Sequence, residues 1–316
     1  MKAKLNDEEL NLVSLAKKYS NENRARKLFE QLRWPGGKPV CPHCQNDGTA
    51  KTISKLTAKA GSHSSVRKGV YFCGACRKPF SATVGTVFED SHVPLSKILM
   101  AIFILCSSKK SISAMQLRRM LKTTYRTAWF LAHRIRHAMG ADLKTAKLLD
   151  NTCEADETFM PNFERPDKKT IVALIVERNG EARTRVIPSV TAKNVGDFMA
   201  AAARKTAIVN TDEHPSYKLA LKGQDRHQRV NHSKYEYARK NQDGSVSHVN
   251  TCESFFSLLK RGVFGAWHCI SAEHLAKYAS EFEFRWNTRK STDGERMVAF
   301  VPMIAGKRLM YRQPAN

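Results

Sequence analysis

Two short cysteine motifs restrict the fold of this chain more than any other feature. Cys41-Pro42-His43-Cys44 is followed, after 28 residues, by Cys73-Gly74-Ala75-Cys76. Each pair can close a tight knuckle whose two thiolates face one cation, and two knuckles complete a tetrahedral zinc site. The segment between them must therefore fold back on itself. Tyr71-Phe72 leads into the second knuckle and Lys78-Pro79-Phe80-Ser81 leads out, as in a ribbon of hairpins, and the Lys/Ser/Ala-rich stretch from Lys51 to Lys68 reads as an exposed hairpin tip. A redox pair accounts poorly for two such motifs at this spacing. Cys106, Cys153, Cys252 and Cys269 are scattered and read as buried thiols.

Length and charge bound the rest. With 316 residues, the chain is long enough for two or three modules. A formal net charge of +24 is far more than an enzyme of small neutral metabolites needs, and it favours a polyphosphate partner, with double-stranded DNA the first to consider. The charge is concentrated: residues 91–149 hold eleven Lys/Arg against Asp142 alone, whereas residues 150–316 hold 26 against 20 acids. No apolar run reaches transmembrane length, so no membrane association is expected. Met1 to Glu9 lacks the apolar core of a signal peptide, which predicts a cytoplasmic protein associated with the nucleoid through DNA.

In chain order, residues 1–38 predict a helical entry segment ending at Trp34-Pro35-Gly36-Gly37, and 39–90 the zinc ribbon. Residues 91–149 predict a helix-turn-helix-like module. Pro94 to Leu105 is apolar nearly all round and reads as a buried helix. Ser113-Ala114-Met115-Gln116 opens a helix that carries Leu117, Met120 and Leu121, and a second helix runs from Tyr125 to about Met139 with Ala128, Leu131 and Ile135 inward. Two helices on a short polar turn, the second rich in arginine, match a pattern used to enter a major groove. Its candidate DNA contacts are Tyr125, Arg126, Arg134 and Arg136.

From residue 150 to 316 the pattern is α/β. Thr152 to Met160, Thr170 to Arg178 and Ala182 to Val190 read as strands; a helix from Val195 to Lys205, a strand from Ala207 to Asp212, a short helix from Tyr217 to Leu221, a strand at Arg229 to Asn231 and the helix containing Glu253 follow. That order predicts a ribonuclease-H-like domain. At about 100° per residue, Asn250, Glu253, Ser257 and Lys260 share one side of the last helix, opposite Phe255, Phe256, Leu258 and Leu259. Two strand-borne acids, Asp156 and Asp212, with Glu253 supply the carboxylates that a two-metal phosphoryl-transfer site needs from separate elements. Glu157 neighbours Asp156 and should face the opposite side of its strand, so only one of them should point at the site; Glu154 shares the side of Asp156 but reads as a solvated end residue. Lys260, two turns beyond Glu253, is placed to meet a backbone phosphate, with Arg261 beside it.

Glu154-Ala155-Asp156-Glu157-Thr158, Asn210-Thr211-Asp212-Glu213-His214-Pro215-Ser216-Tyr217, and His248-Val249-Asn250 followed by Glu253-Ser254-Phe255-Phe256 and Leu259-Lys260-Arg261-Gly262 closely resemble the DDE-type insertion-sequence transposases that carry an N-terminal zinc ribbon, the ISXO-like group related to Merlin elements. Phe80 to Phe88 and Glu281 to Arg289 extend the resemblance to roughly residues 30–312. It implies a ribonuclease-H-like catalytic domain, two catalytic magnesium ions, cleavage of the element's ends and their joining to target DNA. It maps Asp156 and Asp212 as the first two catalytic acids. The third position falls to Glu253 or to Asn250, and the carboxylate favours Glu253, leaving Asn250 either to support the metal ligands from behind or to cap the helix. A transposase must also hold two ends together, so a homo-oligomer on DNA is expected. The alternative is a catalytically inactive DNA-binding regulator derived from such an enzyme.

Overall fold

Helices begin where the sequence supplies caps. Asn11 accepts from the Ser14 amide at the start of α1 (Leu12–Lys18), and Asn21 does the same for α2 (Glu22–Arg33), which buries the stripe Ala25, Leu28, Phe29 and Leu32. The computed structural model describes residues 10–57, 68–161, 169–223, 226–242 and 244–311; part of the expected hairpin tip (58–67) and most of the N-terminal segment read for a signal (1–9) lie outside them. The first of two compact units takes in residues up to 108, 112–138 and those from 291 on. After α2 come β1 (Ile53–Lys55), β2 (Val70–Cys73) and β3 (Pro79–Ser81), an antiparallel sheet in that order, whose Tyr71 and Phe80 rings pack on Trp34. The apolar α3 (Leu95–Ser107) is buried as expected, but Pro94 offers its N-terminus no side-chain cap. Glu22 of α2 does so instead, accepting from the amides of Leu95 (2.8 Å) and Ser96 (3.3 Å).

α4 (Ala114–Leu121) is capped by Ser113, which accepts from Gln116 N at 3.1 Å, and it ends on Lys122 at φ 48°. α5 (Tyr125–Met139) starts at Thr124, which accepts from Thr127 N at 3.2 Å, and buries Ala128, Leu131 and Ile135. Met120 is exposed, since so short a helix buries only the one edge carried by Leu117 and Leu121.

The second unit is built on a mixed five-stranded sheet in the order β6-β5-β4-β7-β8. β4 (Thr152–Met160), β5 (Thr170–Glu177) and β6 (Ala182–Ile187) form an antiparallel meander, while β7 (Ile208–Thr211) and β8 (His227–Arg229) continue parallel to β4. Helices cover both faces. Ile171, Ala173 and Ile175 of β5 pack with Val195, Phe198 and Met199 of α6 (Ala192–Ala202) and Tyr217 of α7 (Pro215–Ala220). Val172, Leu174 and Val176 pack instead with a hairpin-led pair of helices, α8 (Asn250–Gly262) and α9 (Ala272–Asn287). Burial on both faces is why β5 reads as an unbroken apolar run. The hairpin before α8 joins β9 (Ala238–Lys240) to β10 (Val246–His248) and was not foreseen, being short, polar and without alternation.

The Glu281 to Arg289 motif guards the sheet edge. Glu283 accepts from the Thr184 amide and hydroxyl (both 2.8 Å), and Asn287 accepts from Ala182 N at 2.7 Å, so α9 satisfies outward amides of β6. The second compact unit runs to Lys290, whereas α10 (Asp293–Phe300) buries Met297 and Phe300 in the first unit, packed on α3. There the Phe80 to Phe88 motif receives the C-terminal strand of contacts: Val87 N donates to Ile304 O and Gly306 N to Gly85 O. Gly85 sits at φ 69°, and a Cβ on it would lie 2.6 Å from the Pro42 ring, so this turn requires glycine. No helix of the described residues is long and apolar enough to cross a membrane.

Candidate functional site

The cysteine motifs meet. All four sulfurs lie within 4.8 Å of one another, with Cys41 Sγ 3.7 Å from Cys76 Sγ and Cys44 Sγ 3.7 Å from Cys73 Sγ. The two knuckles have the same backbone form: the residue after each pair, Gln45 or Arg77, is left-handed (φ 59° and 57°) and donates its amide to the first cysteine's carbonyl at 2.9 Å. The Cys76 amide foremost, with the Asn46 side chain, draws the Cys73 thiol down to about 6 against its burial, while burial foremost pushes Cys41 up. One thiolate is thus favoured and another opposed, a conflict that a dication ligated by all four removes. The quartet fits zinc.

The acids gather at the carboxyl end of the parallel strands. β4 and β7 pair in register from Thr152 opposite Ile208 to Glu154 opposite Asn210, and continuing that register sets Asp156 level with Asp212, one residue beyond β7. Alternation gives both the same face. Cys153 and Ala155 enter the core under α6, so Glu154 and Asp156 face the side covered by α8. Asp212 is fixed by its own turn, accepting from His214 N at 3.0 Å. A cleft of about 430 Å³ lies before these strands, lined by Asp156, Glu157, Glu253, Ser257, Lys260 and Arg261 among others. Burial, and then the charges of Glu157, Asp212 and Glu253, push Asp156 up to about 8, against the pull of the Glu157 amide. The three nominated acids therefore share one electrostatic neighbourhood, although among the described residues only the cysteines approach within single-ion distance.

Several neighbours of these acids depart from expectation. Glu157 does turn to the other face of β4, where Tyr217 Oη donates to it at 2.7 Å, but it is not remote: it borders the same cleft and acts on Asp156. Its carboxyl is raised by burial first and by Asp212 as well. Glu154 is fully buried instead of solvated. It accepts from Arg178 Nε (2.7 Å), Thr251 N (2.7 Å) and Thr251 Oγ1 (2.8 Å), with His248 Nδ1 at 3.1 Å. Asn250 does not cap α8: it is the first helical residue, and Val249 at the cap position provides no side-chain bond. The capping carboxylate comes from Glu154. Its signal was present in the sequence, since an acid between Cys153 and Ala155 in a buried strand needs a cation, and Arg178 lies diagonally across the β4–β5 ladder.

α8 presents Glu253 and Lys260 outward and buries Cys252, Phe255, Phe256 and Leu259; Leu258, expected inward, is 37% exposed. Arg261 Nη2 is held by Ser257 Oγ at 2.7 Å. In the first unit Tyr125 and Arg126 are exposed at the start of α5, the Arg126 guanidinium lying 4.4 Å from the Tyr311 ring centre. Arg134 and Arg136 are not available as expected. Arg136 is 1% exposed and donates to Ile112 O, while Arg134 is 8% exposed, lies over Phe130 and donates to Glu89 O. Both lie on the side of α5 that faces its own unit, so their positive charge serves buried carbonyls.

Comparison with known proteins agrees with this geometry at both ends. Residues 20–79 match the transposase zinc-ribbon domain, and residues 151–287 match the ISXO2-like transposase domain. The chain is also 27% identical, over 293 residues, to the uncharacterized protein in transposable element ISH50 of Halobacterium salinarum, covering 85% of this chain and 92% of that protein. With the paired knuckles at one end and the acid-bearing α/β sheet at the other, each matched by the corresponding family, the chain belongs to the zinc-ribbon, ISXO2-like insertion-sequence transposases.

Proposed function

We propose that this transposase binds the terminal inverted repeats of its element, cleaves the DNA at those ends and transfers the strands to target DNA, with Asp156, Asp212 and Glu253 as its catalytic acids. The observation that carries the reading is the in-register level of Asp156 and Asp212 at the end of parallel strands, with Glu253 lining the same cleft as Asp156. Strand order β6-β5-β4-β7-β8 with one antiparallel meander supports a ribonuclease-H-like fold for residues 151–287. Oxygen donors are what magnesium takes, and the Asp156 carboxyl, raised by burial first and then by three neighbouring acids, stands where a cation would offset both. These three acids would hold two magnesium ions. When bound, the ions lower the pKa of the attacking water or 3′-hydroxyl and stabilise the leaving oxygen.

The chain's own groups supply the rest. Lys260 and Arg261, on the same cleft, hold the backbone phosphate beside the scissile bond, and Ser257 fixes the guanidinium plane of Arg261. Glu157, held by Tyr217, adds a further carboxyl to the edge of the cleft. End recognition falls to the helix pair α4–α5, through Tyr125 and Arg126, and the zinc ribbon serves as its metal-pinned neighbour in sequence. Two chains acting together hold the two ends.

The test uses purified full-length protein and a labelled duplex copied from the inverted repeat flanking its gene. Magnesium-dependent cleavage is expected, and Asp156→Asn, Asp212→Asn and Glu253→Gln should each abolish it while leaving duplex binding intact. An inactive DNA-binding regulator would bind the repeat and cut nothing, and normal cleavage by any of the three variants removes that acid from the set.

A further inference from the structure

Between β8 and α8 the chain makes an excursion that the acid site does not use. Residues 226–240 carry five Lys/Arg against Glu236 alone. The excursion is fixed at both ends to the elements that bear the acids. Near its start, Glu213, adjacent to Asp212, accepts from the amides of His232 (2.8 Å) and Ser233 (3.1 Å) and from Ser233 Oγ. Asn231 closes the 3₁₀ turn His232–Lys234 by accepting from Lys234 N at 3.2 Å, and its own amide is held by Glu236 at 3.0 Å. At the far end Arg178, paired to Glu154, donates to Val246 O (2.7 Å) and His248 O (3.2 Å). In between, Tyr235 is held at φ 59°, a left-handed conformation that is unfavourable for a bulky residue. Its side chain packs away nothing in return: 82% of Tyr235 is exposed, and Tyr237, whose ring lies 5.4 Å from that of His232, is 56% exposed. Beside them opens a cleft of about 650 Å³ lined by Glu213, Arg229, Asn231, Lys234, Glu236 and Arg239.

An aromatic ring turned to solvent beside a cleft that carries Arg229, Lys234 and Arg239 is the combination that holds a nucleic-acid strand whose bases are unstacked. A continuous duplex hides its base faces, so such a ring finds a partner only where a base has left the stack. We infer that this loop receives a locally unpaired DNA strand next to the scissile bond, with Tyr235 stacking on a displaced base and Arg229, Lys234 and Arg239 along its phosphates. The inference rests on the proposed cleavage of DNA ends and adds to it that the end is opened before it is cut. The distance along the chain is short: the anchor Glu213 is the residue after the second acid, so the displaced base lies near the bond being broken.

The test compares cleavage of two synthetic end duplexes, one fully paired and one mismatched over the base pairs at the cleavage position. Base–aromatic stacking supports an expected loss on the order of tenfold or more for Tyr235→Ala on the paired duplex. Tyr235→Phe keeps the π-face and should cut as wild type does. The mismatched duplex should restore Tyr235→Ala close to wild-type rate, because its base is already free. Wild-type rates for Tyr235→Ala on the paired duplex, while wild type itself binds and cuts, overturn the inference and leave the proposed function standing. An equal loss on both duplexes also overturns it, marking Tyr235 as a duplex contact. Wild-type protein that cuts neither duplex removes the proposed function and this inference together.

Discussion

Removing the Glu154 carboxylate should loosen the first turn of α8 without unfolding the sheet that carries it. Glu154 is 0% exposed and holds three bonds of 2.7–2.8 Å, one from a guanidinium and two from Thr251. Adding each charged bond at its individual worth would overstate the loss, because Arg178 keeps 23% of its side chain in water and can partly resolvate. The better guide is the loss on breaking a buried pair from one side, roughly 3–5 kcal/mol. α8 has no cap of its own, so the effect should fall locally on its amides. In full-length protein, Glu154→Ala should speed hydrogen exchange at Thr251 and its neighbours by roughly two to three orders of magnitude, taking about 1.4 kcal/mol per factor of ten. Amides in the β4–β5 ladder should change far less. Part of the loss is the stranded Arg178, so Glu154→Ala with Arg178→Ala together should cost less than the sum of the two. Exchange at Thr251 within about threefold of wild type would refute the assignment of Glu154 as the cap of α8.

Other outcomes follow from the same geometry. Purified protein should hold one zinc per chain, and Cys73→Ser or a strong chelator should unfold the ribbon, read as loss of zinc by metal analysis and of near-ultraviolet signal from Trp34 and its ring partners. Magnesium at about a hundred times its dissociation constant should stabilise the second unit by about 2.7 kcal/mol for each ion bound, seen as a raised melting temperature that Asp156→Asn lacks. Arg126→Ala should weaken binding to the repeat and reduce its salt dependence with the melting temperature unchanged, whereas Arg136→Ala should lower the melting temperature by leaving Ile112 O without its donor. Asn250→Ala should cleave ends nearly as wild type does, because its position neither caps α8 nor carries charge, while Glu253→Gln should not; the reverse pattern in the cleavage assay would move the third catalytic position to Asn250.

What could be read from the sequence was local or periodic. The Cys-x-x-Cys pairs, the Ser113 cap, the unbroken apolar run of β5 and the inward stripe of α5 all express constraints between residues close in the chain, and each element stands within a few residues of its expected place. Arginines resisted that reading. On α5, Arg126 and Arg136 look alike by composition, yet one is exposed and the other is buried under a carbonyl 24 residues away in sequence. The end of the second unit is hidden for a similar reason: α10 has the capping box and apolar stripe of any surface helix, and nothing in its sequence says that its stripe matches α3 of the first unit.

Carboxylates acting at a distance were the least legible, and they set the site. Two helices that lack side-chain caps of their own, α3 and α8, take them from Glu22 and Glu154, 73 and 97 residues away. For α8 this has a geometric consequence. Glu154 and Asp156 lie two residues apart on the same face of β4, while Thr251 and Glu253 lie two residues apart at the start of α8. The buried bond from Glu154 to Thr251 therefore ties the strand to the helix one short step before the two acids, and whatever holds 154 to 251 limits how far 156 can part from 253. An exposed Glu253, lining one cleft with Asp156, would otherwise be free to swing the end of its helix toward solvent; the buried Glu154 behind it is what keeps the acid of the strand and the acid of the helix together.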